Sequence, residues 1–130
     1  MLSIKKRICD KDIDFAAEEL KKYIGMMMPD KDDIQITLDP KADCGGFVLG
    51  LMQDFRFDVS DVEDPEKNDI IYVYTGYEHG IIAGSNPHAV LLSVYEFLRQ
   101  QGCQLSVDGN DSENIPTIER FKQVRYRHVV

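Results

Sequence analysis

The segment Gly80–Cys103, GIIAGSNPHAVLLSVYEFLRQQGC, constrains the fold more than any other part of the chain, because it contains a strand, a tight turn and a whole helix. Ser85 or Asn86 is suited to cap the helix, since both side chains accept hydrogen bonds from the first helical N–H groups. Pro87 stands at the first helical position, where its missing N–H costs nothing. Gly102 supplies a left-handed residue that ends the helix. The segment therefore predicts a strand followed directly by a well-delimited apolar helix.

Hydrophobic periodicity predicts the remaining elements. A first helix is expected from Ile13 to about Met27, capped by Asp12. The predicted strands are Leu2–Cys9, Ile34–Leu38, Phe47–Phe55, Ile70–Thr75, Gly80–Ala83 and Gln104–Val107. The order β-α-β-β-β-β-α-β, with a hairpin turn at Gly76, predicts an α+β fold in which two helices pack on one face of a mostly antiparallel sheet.

Both helices carry more apolar surface than one sheet needs. In the first helix a stripe centred on residues such as Ile13, Leu20 and Ile24 fits a helix lying on a sheet. Phe15 and Met26 fall opposite that stripe, and in the second helix Leu92 widens an apolar face that is already broad. Single exposed apolar residues are common on protein surfaces. The alternative interpretation is that Phe15, Met26 and Leu92 contact a second surface.

The motif IIAGSNP followed by VLLSVYEFLRQQGC resembles the N-terminal domain of α-glucuronidase-type and β-N-acetylhexosaminidase-type glycoside hydrolases. The first helix, FAAEELKKYI at Phe15–Ile24, is similar to the early helix of that domain. The last residues, VRYRHVV at Val124–Val130, resemble the connection into the first strand of a TIM barrel. One departure is His88-Ala89, where the family commonly has Arg-Gly. On this resemblance residues 1–123 are an α+β accessory domain and residues 124–130 a tail leading to a missing barrel.

The resemblance implies a non-catalytic accessory domain of a multidomain glycoside hydrolase, acting in carbohydrate metabolism. In such proteins the helices lie between the small sheet and the barrel, and the chemistry belongs to the barrel. The expected partner is a TIM-barrel catalytic domain, in cis or as a partner subunit. Phe15, Met26 and Leu92 are then the candidate docking residues. No hydrolase activity is expected of this chain alone.

Composition narrows the classes of function. A chain of 130 residues with 43% hydrophobic residues has the size of one domain with a real core. Its net charge of -8 argues against nucleic-acid binding, which needs a concentrated basic surface. Neither a signal peptide nor an apolar run long enough for a membrane span is evident. As written, the chain is expected to be cytoplasmic, without a membrane partner and with reduced cysteines.

The chemistry-bearing side chains do not form a catalytic constellation. No histidine has a Ser or Cys at a spacing typical of a nucleophilic pair, and the carboxylates between Asp54 and Glu66 share one loop. A calcium-loop spacing that starts at Asp108 has Glu113 where a sharp turn needs Gly. We therefore predict no catalytic residue, no metal site and no cofactor.

Two alternatives stay open. Tyr72 and Tyr74 share one face of a strand and are weak candidates for a carbohydrate platform, although cross-strand packing is the more common use of such a pair. These residues leave open a free-standing carbohydrate-binding module. The broad apolar helix face leaves open a homo-oligomerising interaction domain. The basic residues from Arg120 to Arg127 are suited either to clamp the acidic body or to meet an acidic partner.

Overall fold

The fold is taken from a computed structural model, which describes residues 2–31, 33–104 and 115–130. Six strands, two α-helices and one short 3-10 helix occur in these ranges. Their bounds are β1 Leu2–Lys6, α1 Lys11–Met27, β2 Ile34–Leu38, β3 Phe47–Leu51, the 3-10 helix Met52–Phe55, β4 Ile70–Thr75, β5 Gly80–Gly84, α2 Pro87–Gln100 and β6 Val124–Val129. None of the helices in the described ranges has the length and apolar character that crossing a membrane requires.

All six strands form one sheet in the order β2-β1-β3-β5-β4-β6. β1 pairs in parallel with both β2 and β3, and β3 pairs in parallel with β5. β4 is antiparallel to both of its neighbours, β5 and β6. The α+β class with two helices is therefore confirmed, and the sheet is mixed. Fewer pairs are antiparallel than the sequence predicted, because α1 crosses over between β1 and β2 and leaves them parallel.

The main core lies between the sheet and the two helices, which share one face. Phe97 of α2 packs edge-on against Phe47 of β3, with 5.1 Å between the ring centroids. The Phe121 ring packs against both, with its centroid 5.4 Å from that of Phe47 and 5.7 Å from that of Phe97. Every one of these rings is buried, as are Ile4 of β1 and Ile82 of β5 in the same cluster. This core draws on both helices and on all six strands, so it specifies the fold.

Part of the opposite face of the sheet, over β4 and β5, is covered by a loop. Met52, Ile70 and Ala83 form a second, smaller buried cluster there. The connection between β3 and β4 places partly buried side chains over this cluster: Phe55, Phe57, Val59 and Val62. The loop that carries the carboxylates between Asp54 and Glu66 thus also supplies the apolar cover of this cluster.

Local signals explain where the helices begin and end. The cap of α1 is Asp10, two residues before the predicted Asp12, and its carboxylate accepts a hydrogen bond from the Asp12 N–H at 2.8 Å. Asn86 caps α2 by accepting from the Ala89 N–H at 2.8 Å, and Pro87 stands at the start of that helix as predicted. Gly102, with φ of 104°, follows the end of α2 in the left-handed region that glycine favours.

The predicted hairpin is confirmed, since β4 and β5 are antiparallel and the Gly76 N–H donates to the His79 carbonyl at 2.8 Å. The strand predicted at Gln104–Val107 lies outside the described residues except for Gln104. The segment Val124–Val129, predicted only as a tail, forms β6 and pairs with β4 along its length. These residues are an integral strand of the sheet.

Candidate functional site

The outer face of α1 exposes two large apolar side chains. Phe15 is 50% exposed and Met26 is 46% exposed. They lie on the same side of the helix because positions 15, 19, 22 and 26 follow the spacing that stacks residues along one face. Eleven residues of helix separate them by about 16 Å. The structure thus brings these two predicted docking residues together on one exposed stripe.

Two polar residues between Phe15 and Met26 contact neighbouring aromatic side chains. Glu19 accepts a hydrogen bond from the Tyr95 hydroxyl of α2 at 3.4 Å. The ammonium group of Lys22 lies 4.9 Å from the centroid of the Tyr23 ring. The first contact ties the exposed stripe of α1 to the outer side of α2, so the two helices present one continuous surface.

Leu92, the third predicted docking residue, is only partly exposed. Together with Leu91 and Tyr95 it packs against the main core. We call the surface formed by Phe15, Met26 and Leu92 the outer helix surface. Its exposed apolar area comes mainly from α1, while α2 contributes the outer atoms of partly buried side chains.

Tyr72 and Tyr74 lie on the opposite face of the sheet, and on the same side of β4 as predicted. Phe57 covers Tyr72, with 4.6 Å between the ring centroids, and burial raises the pKa of the Tyr72 phenol. Tyr74 is 50% exposed, and the guanidinium of Arg125 lies 5.1 Å from its ring centroid. One tyrosine is therefore covered and the other is stacked on a cross-strand arginine. The role of this pair as a carbohydrate platform stays a prediction.

The basic strand β6 clamps the acidic loop. Arg127 donates two hydrogen bonds to the Asp61 carboxylate, at 2.8 and 2.9 Å, and a third to the Asp58 carbonyl at 3.2 Å. These bonds hold the pKa of Asp61 below its ordinary value and raise that of Arg127. Arg127 therefore has the clamping role, one of the two that the sequence left open for this basic segment.

A polar network at the start of α2 is the feature that sequence reasoning missed. The side-chain amide of Asn86 donates to the Pro65 carbonyl at 3.0 Å and to one oxygen of Asp69 at 2.8 Å. The other carboxylate oxygen of Asp69 lies 3.1 Å from Nδ1 of His88. Asp69 and Asn86 are far apart in sequence, so only the fold reveals the pairing. His88 is exposed, as expected for a residue at a helix start.

Ser85 and Ser93 complete this network. The Ser85 hydroxyl donates to the Asn68 carbonyl at 2.7 Å and accepts from the Ile70 N–H at 2.8 Å. The buried Ser93 hydroxyl donates to the Ala83 carbonyl at 2.6 Å and accepts from the Tyr72 N–H at 3.2 Å. These bonds join the loop before β4, both hairpin strands and α2. The motif that the sequence singled out is thus an architectural junction.

A shallow depression lies beside the turn between β4 and β5. Its lining residues are Tyr77, Ile118, Glu119, Arg120, Phe121, Lys122 and Gln123. The Arg120 guanidinium stacks over the Tyr77 ring at 4.8 Å and forms one wall. In the parts of the chain that the structure describes, no three His, Cys, Asp or Glu side chains are placed to hold a metal ion. The calcium-like spacing that starts at Asp108, which the sequence does not support as a metal site, lies mostly outside the described residues.

Comparison of the chain with family models, curated proteins and solved structures finds no significant match.

Proposed function

We propose that this chain is a non-catalytic accessory domain of a multidomain glycoside hydrolase, and that its outer helix surface docks on a TIM-barrel catalytic domain. The resemblance of the segment Gly80–Cys103 to the N-terminal domain of such enzymes motivates the proposal. The observation that carries it is the exposure of Phe15 and Met26 on a single face of α1.

The energetics favour a partner on this face. Fully burying a large apolar side chain contributes about 1.5–3 kcal/mol, and Phe15 and Met26 each leave about half of that unrealised. Since both helices pack on one side of the sheet, a domain seated on them would meet a rigid, continuous surface. Hydrolysis would then depend on residues of the partner domain, and this chain would position and stabilise it.

The native polypeptide tests the proposal directly. An antibody against this domain should detect, in cells of the source organism, a polypeptide several times larger than 14.9 kDa, or a 14.9 kDa chain that co-purifies with a larger subunit. A 14.9 kDa chain that migrates without a partner would contradict the proposal. So would glycosidase activity of the isolated chain that one carboxylate substitution abolishes.

Methionine oxidation tests the docking face itself. In the isolated chain, peroxide should oxidise the exposed Met26 much faster than the buried Met27 and Met52, which are internal controls. In the native polypeptide, docking should slow oxidation of Met26 toward the rate of those two residues, as measured by peptide mass spectrometry. If Met26 oxidises equally fast in both forms, the outer helix surface is not the docking face.

A further inference from the structure

The two edges of the sheet differ in chemistry. β6 forms one edge and carries Arg125, Arg127 and His128, the kind of charged side chains that discourage pairing with another strand. β2 forms the other edge and reads Ile-Gln-Ile-Thr-Leu, with no charge, no proline and no glycine. Leu38, its last residue, is 54% exposed. Among the strands that the structure describes, the β2 edge is therefore the one better suited to pair with another strand.

Alternate residues of β2 direct their backbone N–H and C=O groups toward this open edge. The Leu2 N–H donates to the Asp33 carbonyl at 3.1 Å, and the Asp39 N–H donates to the Lys6 carbonyl at 2.8 Å. The odd-numbered residues of this stretch therefore bond to β1 in the parallel ladder. The N–H and C=O groups of Ile34, Ile36 and Leu38 face outward, and no strand among the described residues pairs with them.

We propose that the β2 edge binds the β2 edge of a second copy of this chain, antiparallel and centred on Ile36. In that register Ile36 lies opposite Ile36 of the second copy, and Ile34 lies opposite Leu38 of the second copy. Residues directly opposite at these positions exchange both of their backbone hydrogen bonds. Every outward N–H and C=O of the three residues then has a partner, and a two-fold axis relates the copies.

The pattern of β2 selects a second copy over an unrelated strand. Apolar and polar residues alternate so that the strand reads the same from either end, and antiparallel self-pairing keeps both faces matched. The exposed Leu38 side chain would be covered by Ile34 of the other copy, on the helix side of the sheet. Gln35 would lie opposite Thr37 on the other side. The two sheets would join into one continuous sheet.

The ends of the pairing limit its strength. In the same register Asp33 lies opposite Asp39 of the second copy, at both ends of the strand pair. Like charges placed opposite each other weaken a strand pair, and salt screens that repulsion. One strand pair also buries little area compared with a permanent interface. The dimer is therefore expected to be concentration-dependent and to become tighter as the salt concentration rises.

Sedimentation and hydrogen exchange test this proposal together. From about 10 µM to about 1 mM, the mass should rise from 14.9 kDa toward twice that value, and more steeply in high salt. Over the same range the amides of Ile36 and Leu38 should become protected from exchange. The amides of Gln35 and Thr37 should be protected at every concentration, because they bond to β1.

Leu38→Pro provides the decisive variant. It deletes an outward N–H and leaves the ladder with β1 intact, because proline is tolerated in an edge strand where the N–H faces away from the sheet. We expect this variant to lose the dimer while the amides of Gln35 and Thr37 stay protected from exchange. Their protection would show that β2 is still folded. Leu38→Ala, which keeps the N–H, should retain concentration-dependent protection of Ile36.

A chain that stays monomeric at about 1 mM in high salt would overturn the proposal. A dimer in which the Ile36 and Leu38 amides exchange freely would overturn it equally, since such a dimer uses another surface. This inference does not rest on the accessory-domain proposal, because β2 and the outer helix surface are tested by different residues.

Discussion

The two faces of the sheet are covered in different ways. The helix side is a continuous core to which both helices, the strands and Phe121 all contribute, and its central aromatic rings are buried. The loop side is a small cluster covered by one connection, between β3 and β4, and fastened by Arg127. The first arrangement depends on residues from the whole chain. The second depends on one segment and a few polar contacts.

This difference separates two roles. The helix side is where large hydrophobic area is buried, so it determines which strands pair and in which order. The loop side adds a smaller apolar cover, and polar contacts such as that of Arg127 hold the connection in place. We therefore expect substitutions on the helix side to cost more stability than comparable ones on the loop side or at the junction between the faces.

The largest effect is expected from removing a ring on the helix side. Phe97→Ala should lower the free energy of unfolding by about 3–5 kcal/mol, because it leaves a cavity beside Phe47 and Phe121. The matched variant on the loop side is Phe57→Ala. It should cost roughly 1–2 kcal/mol, since that ring is partly exposed already. Urea unfolding measures both, and equal losses would contradict the comparison of the two faces.

A second prediction concerns the close approach of α2 to β5. A methyl group on Gly84 would lie 2.5 Å from the Val90 nitrogen and 2.6 Å from the Ala89 carbonyl carbon, and backbone atoms cannot yield without moving the helix. Gly84→Ala should therefore cost about 1–3 kcal/mol.

The control for this substitution is Gly25→Ala. Gly25 lies within α1, and a methyl group there would meet no atom within 4 Å. That variant should gain about 0.5–1 kcal/mol from helix propensity. Thermal unfolding of both variants gives opposite signs if the close approach is real. A neutral Gly84→Ala would show that α2 can shift without loss.

A third prediction tests the polar junction between the two faces. Asn86→Ala removes the cap of α2 and both bonds that hold the loop before β4, and should cost about 1–2 kcal/mol. Asn86→Asp keeps a capping oxygen and loses the amide donors, and it places a second carboxylate beside Asp69. Urea unfolding should rank it between the wild type and Asn86→Ala at high salt. If both variants cost the same at high salt, a capping oxygen at position 86 adds no net stability in the presence of Asp69.

Local rules in the sequence predicted much of the helix side. The bounds of β2 and β4 are as predicted, and α2 begins at Pro87 after its asparagine cap. These features depend on residues close together in sequence, and hydrophobic periodicity reports them directly. The exposure of Phe15 and Met26 also follows from the period of α1, since both fall opposite its buried stripe.

The loop side could not be predicted in the same way. Asp61 and Arg127 are 66 residues apart in the chain, and neither has a local pattern that indicates a partner. The sequence predicts Phe55 at the end of a strand and leaves Phe57 in an acidic loop. It does not reveal that both rings cover the sheet, because irregular segments have no period that shows which side chains turn inward. The sequence does not predict β6 as a strand, because its residues VRYRHV are mostly charged or aromatic and show no clear hydrophobic alternation.

The smallest predicted effect comes from the clamp between Arg127 and Asp61. Its hydrogen bonds hold the pKa of Asp61 below the ordinary value of 3.8. A carboxyl group whose pKa is lower in the folded protein than in the unfolded chain stabilises the folded state at pH values above the unfolded-state pKa. This contribution is lost as the pH falls through the folded-state pKa. Arg127→Gln should therefore be less stable than the wild type at neutral pH, and the difference should shrink as the pH falls below 3.8.

Arg125→Gln is the matched control for the clamp, because Arg125 lies on the same face of the same strand and stacks on Tyr74 instead of binding a carboxylate. Its effect on stability should not change between neutral and acid pH, as thermal unfolding at each pH would measure. Both carboxylate and guanidinium are solvent-accessible, so high salt should also reduce the Arg127→Gln effect. If that effect persists unchanged in acid, Arg127 stabilises the loop by packing of its side chain, and the fastening of the loop side is not electrostatic.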